Sequence, residues 1–167
     1  MLDLLVAEHR GLVELAERLT DPVVGSVFTA GVVRHLSAEE QYLYPTLRAV
    51  LPDGDRLADA EIAADAALLR SLRPLVARDV VAALHGHVQR CHGRLFPALR
   101  AAVDDTALIR LGNRVLIAEE AAPTRPHPGT PFAPPWNRLV EPAVGMVDKV
   151  RDVLTRRPTR AEDLAAP

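Results

Sequence analysis

The chain has 167 residues, 49% of them apolar and only 4% aromatic, and its 20 basic and 22 acidic residues are interspersed to a formal net charge of −2. That length fits one domain with a proper core of Leu, Val and Ala, and the absence of a basic stripe argues against nucleic-acid binding. The single cysteine, Cys91, excludes an intramolecular disulfide framework and fits a reducing, cytoplasmic setting, while no apolar run is long enough to span a bilayer.

Leu2 to Leu19 is expected to form a first amphipathic helix, with Leu2, Leu5, Leu12, Ala16 and Leu19 on one side and His9 near the middle of that side. Asp3 and Glu8 within it are unlike a signal peptide. Asp21-Pro22 should end it, because proline disfavours helix at the preceding residue. A second helix should run from about Val24 to Val50, bent near its end by Pro45. At about 100° per residue it carries Phe28, Val32, Leu36, Leu43 and Val50 on one face, with His35 and Glu39 one turn apart on that same face. Ser37 and Gln41 should point away, Glu40 should be solvated, and Tyr42 points near the His35 direction as a core tyrosine bonded to a carboxylate.

Pro52-Asp53-Gly54-Asp55 is a turn by composition. A third helix over roughly Arg56 to Leu72 presents Leu57, Ile62, Leu68 and Leu69, with Asp65 at the centre of the stripe and Glu61 one turn earlier. After a short connection at Pro74, Asp79 is an N-cap candidate for a fourth helix reaching about Val103. His87 and Cys91 share its buried face at i and i+4, whereas His85 and His92 lie on the margin. Asp104-Asp105-Thr106 should open a fifth helix to about Glu120. Residues 1–121 then form the helical part, and 122–167 an extension. In that extension Pro123 to Pro135 should run extended, and a last helix should span Arg138 to Thr155. Its Phe132, Trp136, Leu139, Val144, Met146, Val147 and Val150 should dock on the rest of the chain, because they carry too much apolar surface to face water. His127 should lie at the surface and the final residues, Arg156 to Pro167, should fray.

An internal repeat is visible: Leu43-Tyr44-Pro45-Thr46-Leu47-Arg48 returns as Leu95-Phe96-Pro97-Ala98-Leu99-Arg100, which places His35 opposite His87 and Glu39 opposite Cys91. Four helices joined by short connections thus each push polar groups into an apolar core: His9; His35 and Glu39; Asp65 near Glu61; His87 and Cys91. A buried carboxylate is expensive unless something positive meets it, and imidazole and carboxylate at i and i+4 converge on one point. A lone buried histidine is more often a satisfied core residue. Three of them with two carboxylates on separate helices point instead to a metal site in a bundle.

These features, with Glu8-His9, His35 through Pro45, Leu95-Phe96-Pro97 and the tail segments Ala122 to Pro128 and Pro134-Pro135-Trp136-Asn137, resemble the hemerythrin-like (HHE cation-binding) domain in its bacterial form with a Pro-rich C-terminal extension. The resemblance implies an all-α, up-down-up-down four-helix bundle, flanked here by a fifth helix, a strap and a terminal helix. It further implies non-haem iron, usually two ions, that binds a small diatomic or peroxide ligand. His9, His35, Glu39 and His87 match the family's ligand positions. Asp65 stands where a histidine is usual and Cys91 where a glutamate is usual, and the thiol favours zinc or an asymmetric, near-mononuclear iron site. All six residues are expected to face one pocket. The alternatives are a zinc site made of Cys91, His87 and one or both of His35 and Glu39, or a metal-free module that keeps His9, His35, Glu39, Asp65 and His87 as a polar network. No activated nucleophile or phosphate loop supports hydrolase or kinase chemistry.

Overall fold

The computed structural model describes residues 1–73, 77–127 and 136–164, with the backbone alone for 77 and 136–139. Among these residues the protein is entirely helical, without a strand: α1 (Leu2–Ala16), α2 (Pro22–Ala38), α3 (Tyr44–Val50), α4 (Gly54–Ser71), α5 (Ala77–Arg90), α6 (Phe96–Ala102), α7 (Asp105–Ala121), α8 (Trp136–Thr155) and a short 3-10 turn at Ala161–Leu164. No helix among them is long and apolar enough to cross a membrane.

Local chemistry sets the boundaries. The first helix stops at Ala16, short of the expected Leu19, and Asp21 caps the next one by accepting from the Val23 amide at 2.8 Å. Pro22 therefore opens α2, where its missing N–H is harmless. Asp104 caps α7 through the Ala107 amide. Asp79 is no cap, since α5 already begins at Ala77 and places Asp79 in its first turn.

Pro45 does not simply bend the second helix. Between α2 and α3 the chain passes without a break through a π-helical turn, Glu39–Leu43, in which the Tyr44 amide bonds to the Glu39 carbonyl five residues back. Proline lacks an N–H for the carbonyl four residues earlier and its ring collides with that carbonyl, and the wider turn relieves both problems. The repeat does the same: Cys91–Leu95 is π-helical, upstream of Pro97. Each π turn begins at the inward polar position, Glu39 or Cys91. The extra residue rotates everything after it, so Tyr44 and Leu47 are buried, while Tyr42 is only partly buried and Val50 is exposed.

The apolar interior is divided in two. One cluster gathers Leu2, Leu5, Leu43, Leu47, Leu57, Leu95 and Leu99, the other Leu12, Phe28, Leu36, Leu68 and Leu84. Along α1 the chain crosses from the first cluster to the second, along α2 it returns, and α4 and α5 repeat the pair of crossings. The polar residues of all four helices lie in the layer between.

The tail docks, but not by the expected face. Asp148 accepts from the Thr124 and Arg125 amides at 3.1 Å each and faces His127 at 2.9 Å. Asp152 pairs with Arg125 and Arg157, and Glu141 accepts from Ser37 and from Gln41 at 2.8 Å. Met146, Val147 and Val150 point outward instead of packing, Val144 is half-buried, and the side chains of Phe132, Trp136 and Leu139 lie outside the described residues. Nor do residues 156–164 fray: Arg34 donates to the Thr159 carbonyl, Asp163 accepts from the Thr159 and Arg160 amides, and Arg160 pairs with Glu120. At Gly145 the backbone of α8 lies against Ala121 and Ala122 so closely that a Cβ would overlap the Ala121 carbonyl oxygen. Gly145→Ala should therefore lift α8 away, seen as faster hydrogen exchange over 144–153 with the thermal midpoint of the remainder nearly unchanged.

Candidate metal centre

The site is built from three imidazoles whose far nitrogens are each tied to a different partner. His35 Nδ1 stands 2.8 Å from a Glu8 carboxylate oxygen, His87 Nδ1 3.1 Å from Asp65 Oδ1, and His9 Nδ1 2.9 Å from His92 Nε2. A carboxylate only accepts, so His35 and His87 each carry a proton on Nδ1, and each ring in its neutral form turns an Nε2 lone pair inward. The His9 ring is also held in plane, stacked on Phe96 at 5.7 Å with 9° between the rings.

The three Nε2 atoms meet in the layer between the two apolar clusters. They lie 2.9 Å (His9 to His35), 3.1 Å (His9 to His87) and 3.4 Å (His35 to His87) apart. Glu39 closes the group, with Oε1 3.4 Å from His35 and 3.9 Å from His9 and Oε2 3.4 Å from His87. Four donors bound tetrahedrally at 2.0–2.1 Å would stand about 3.3 Å from one another, so the spacing suits one ion. Cys91 Sγ is 3.7 Å from His87 Nε2, close to the roughly 3.6 Å expected between sulfur and nitrogen on one zinc. His9, Glu39, His87 and Cys91 form one group able to hold a metal, and Glu61, Asp65 and His87 another.

The electrostatics also call for a cation. Glu39 is fully buried and its Oε1 has no hydrogen-bond partner among the described residues. Burial raises its pKa although His87 and His35 oppose the shift. Burial, then His35, His87 and His92, hold His9 well below the ordinary histidine range, and burial lowers His35 too. His87 departs in the other direction: burial opposes its charge, but Glu39 and Asp65 outweigh it and raise it to about 9. With no metal, a proton on His87 supplies the positive charge. Burial first, then Glu39, Asp65 and Glu61, push the Cys91 thiol far up, so by itself it is neutral and behaves as a small apolar group.

Of the six expected site residues, His9, His35, Glu39, His87 and Cys91 face the common point. Asp65 stands one ring further out, on the far nitrogen of His87, where it orients that imidazole and also accepts from the Tyr44 hydroxyl. Tyr44, not Tyr42, is the core tyrosine bonded to carboxylates, and its hydroxyl reaches Glu39 as well, at 3.0 Å. Uniform 100° steps put Tyr44 outside, and only the π turn brings it in. Glu61 is inward as expected but is already met by Arg90, whose Nε lies 2.8 Å and 3.0 Å from its two oxygens. His85 is exposed; His92 is exposed yet bonded to His9. Glu8, one residue from His9, points to the neighbouring helix and so shares no face with it. Glu119, behind Glu8, is raised to about 8 by burial and then by its bond to Glu8.

Glu40 is buried, not solvated; it lines a cavity with Pro123, Arg125 and Pro126 of the strap and Glu141 of α8. Burial, then Asp65, Glu141 and Glu39, raise it to about 9, and its Oε2 has no hydrogen-bond partner among the described residues. The folded chain therefore keeps a proton that the unfolded chain releases above its ordinary value of 4.5. Stability from this group is present at low pH and is lost as pH rises toward 9. Glu40→Gln should accordingly raise stability by about 1–3 kcal/mol at pH 8 and by almost nothing at pH 4.5, measured by denaturant unfolding at both pH values.

A scan of protein-family models and searches of curated proteins and of solved structures each returned no match to this chain.

Proposed function

We propose that this chain is a hemerythrin-like, up-down-up-down four-helix bundle that holds a single non-haem iron. His9, His35, His87 and Glu39 would be its ligands, Cys91 lies at the edge of the site, and α7, the strap and α8 are additions to the bundle. The alternate crossings of α1, α2, α4 and α5 between the two apolar clusters support the bundle. One observation carries the metal reading: three buried imidazoles, each fixed through Nδ1, aim Nε2 at one point beside a buried carboxylate oxygen that lacks a hydrogen bond. Such carboxylate–histidine pairs serve metal sites by fixing the ring and making its free nitrogen a better ligand. Iron there would supply a coordination position for a small ligand such as oxygen, nitric oxide or peroxide. The protein's own part is to hold the rings, to exclude water with Leu5, Leu12, Leu36 and Leu84, and to keep Glu39 ionised against the cation.

A second reading, a metal-free polar network, is favoured by one observation: His87 lies between two buried carboxylates, 3.4 Å from Glu39 and 3.1 Å from Asp65, so a second proton on its ring can take the cation's place. Metal analysis of freshly purified protein, followed by anaerobic ferrous and then zinc titration of the metal-free chain, separates the two. Near one iron per chain supports the iron site. Zinc alone, lost in Cys91→Ala, indicates the thiol-containing set. No uptake of either metal leaves the network.

A further inference from the structure

Helix α8 is amphipathic in the reverse of the usual sense. Taken at about 100° per residue, Met146, Val147, Val153 and Leu154 all lie within about 60° of the direction of Val150, and Asp148 and Asp152 lie about 160° away. The acidic side is the buried one, held by Thr124, Arg125, His127 and Arg157. The apolar side faces out: Met146 is 69% exposed, Val147 68%, Val150 56%, Val153 77% and Leu154 79%. Charged or polar residues are expected on the outer face of a helix docked on a monomer. A stripe of five apolar side chains there implies a surface that covers it.

We propose that the surface is α8 of a second copy of this chain, packed antiparallel across a two-fold axis at Val150. In such a contact residue i of one copy meets residue j of the other with i + j constant, and the same pairing holds in reverse. The stripe satisfies this condition with itself. Val150 meets Val150, Val147 meets Val153, and Met146 meets Leu154, so every apolar residue of one copy faces an apolar residue of the other. A heterologous partner or a lipid surface requires no such symmetry.

The exposed surface of these five side chains comes to about 600 Å² per subunit, the lower end of what a stable interface buries on each side. Like charges meet only at the margin of the contact: Lys149, which the pairing sets opposite Arg151 of the second copy, is held by Glu120 of its own chain, a carboxylate that Arg160 shares. Among the described side chains of α8 only Lys149 and Arg151 are cationic, which is few for a helix that lies on anionic lipid.

Sedimentation equilibrium of the full chain should give twice its 18.1 kDa mass. Val150→Lys places like charges face to face on the axis and should weaken the dimer at least 100-fold while circular dichroism is unchanged. Val150→Cys, under mild oxidant, should cross-link to a disulfide dimer in high yield, whereas Thr155→Cys, off the stripe, should not. The other cysteine, Cys91, is buried and does not interfere. A chain that stays monomeric at 100 µM, or a dimer that survives Val150→Lys, overturns the proposal. So does a monomer that co-sediments with anionic phospholipid vesicles, which would assign the stripe to a membrane surface.

Discussion

Metal-free protein given ferrous iron at 100 times the dissociation constant should gain about 2.7 kcal/mol of stability. For a chain of this length that is a rise of roughly 5–11 °C in thermal midpoint. His35→Ala and His87→Ala should each abolish both the rise and the bound metal, because each removes one of the inward donor atoms, which stand 2.9–3.9 Å from one another. Glu8→Gln tests the outer partner separately. It keeps the size of the side chain and removes the charge that faces His35 Nδ1, and it should weaken affinity by about 10- to 100-fold without abolishing it. Cys91→Glu puts a carboxylate where the repeat has Glu39 and should raise bound iron per chain, while Cys91→Ala should leave iron unchanged. Metal content by elemental analysis and thermal unfolding with and without metal check all of these. If His35→Ala, His87→Ala and Cys91→Glu leave metal content as it was, the group is a polar core and no metal site.

The second large effect lies away from the site. Gly54 opens α4 just after the turn from α3, where its amide bonds to the Leu51 carbonyl at 3.1 Å. A Cβ at this position would fall on the carbonyl oxygen and carbon of Leu47 and on Cα of Arg48, all backbone atoms that no rotamer change can move aside. Gly54→Ala should therefore cost about 3 kcal/mol, at the upper end of overpacking, and lower the midpoint by roughly 6–12 °C. Gly11→Ala is the control. Nothing lies within 4 Å of a Cβ added there, in the middle of α1. It should stabilise the chain by about 0.5–1 kcal/mol through helix propensity alone. Chemical denaturation of the two variants beside the parent chain gives both numbers.

What the sequence determined by itself is whatever depends on regular periodicity and on turn chemistry. Apolar residues recurring every three or four positions specify helices, and proline, glycine and aspartate mark where they stop, so the existence and order of the helices were legible. The inward positions of His9, His35, Glu39, Asp65, Glu61, His87 and Cys91 were legible for the same reason, since each lies on a stripe before any irregular turn intervenes. The repeat showed in addition that Glu39 and Cys91 occupy equivalent places. Only the tertiary structure decided the rest. A π turn inserts one residue and shifts the phase of everything beyond it, so Tyr44 and Tyr42 exchange roles, and a uniform angular step has no means of registering the change. Partners of ligands on neighbouring helices, Glu8 for His35 and His92 for His9, depend on how helices are set against each other, which spacing within one helix does not encode. The burial of Ser37 and Gln41 follows from Glu141 of α8, and that of Glu40 from the strap and Glu141 together, all of them far away in sequence. Which face α8 turns inward was settled by specific hydrogen bonds from Thr124, Arg125, His127 and Ser37 to its buried carboxylates, and these outweighed the apolar periodicity that pointed the other way.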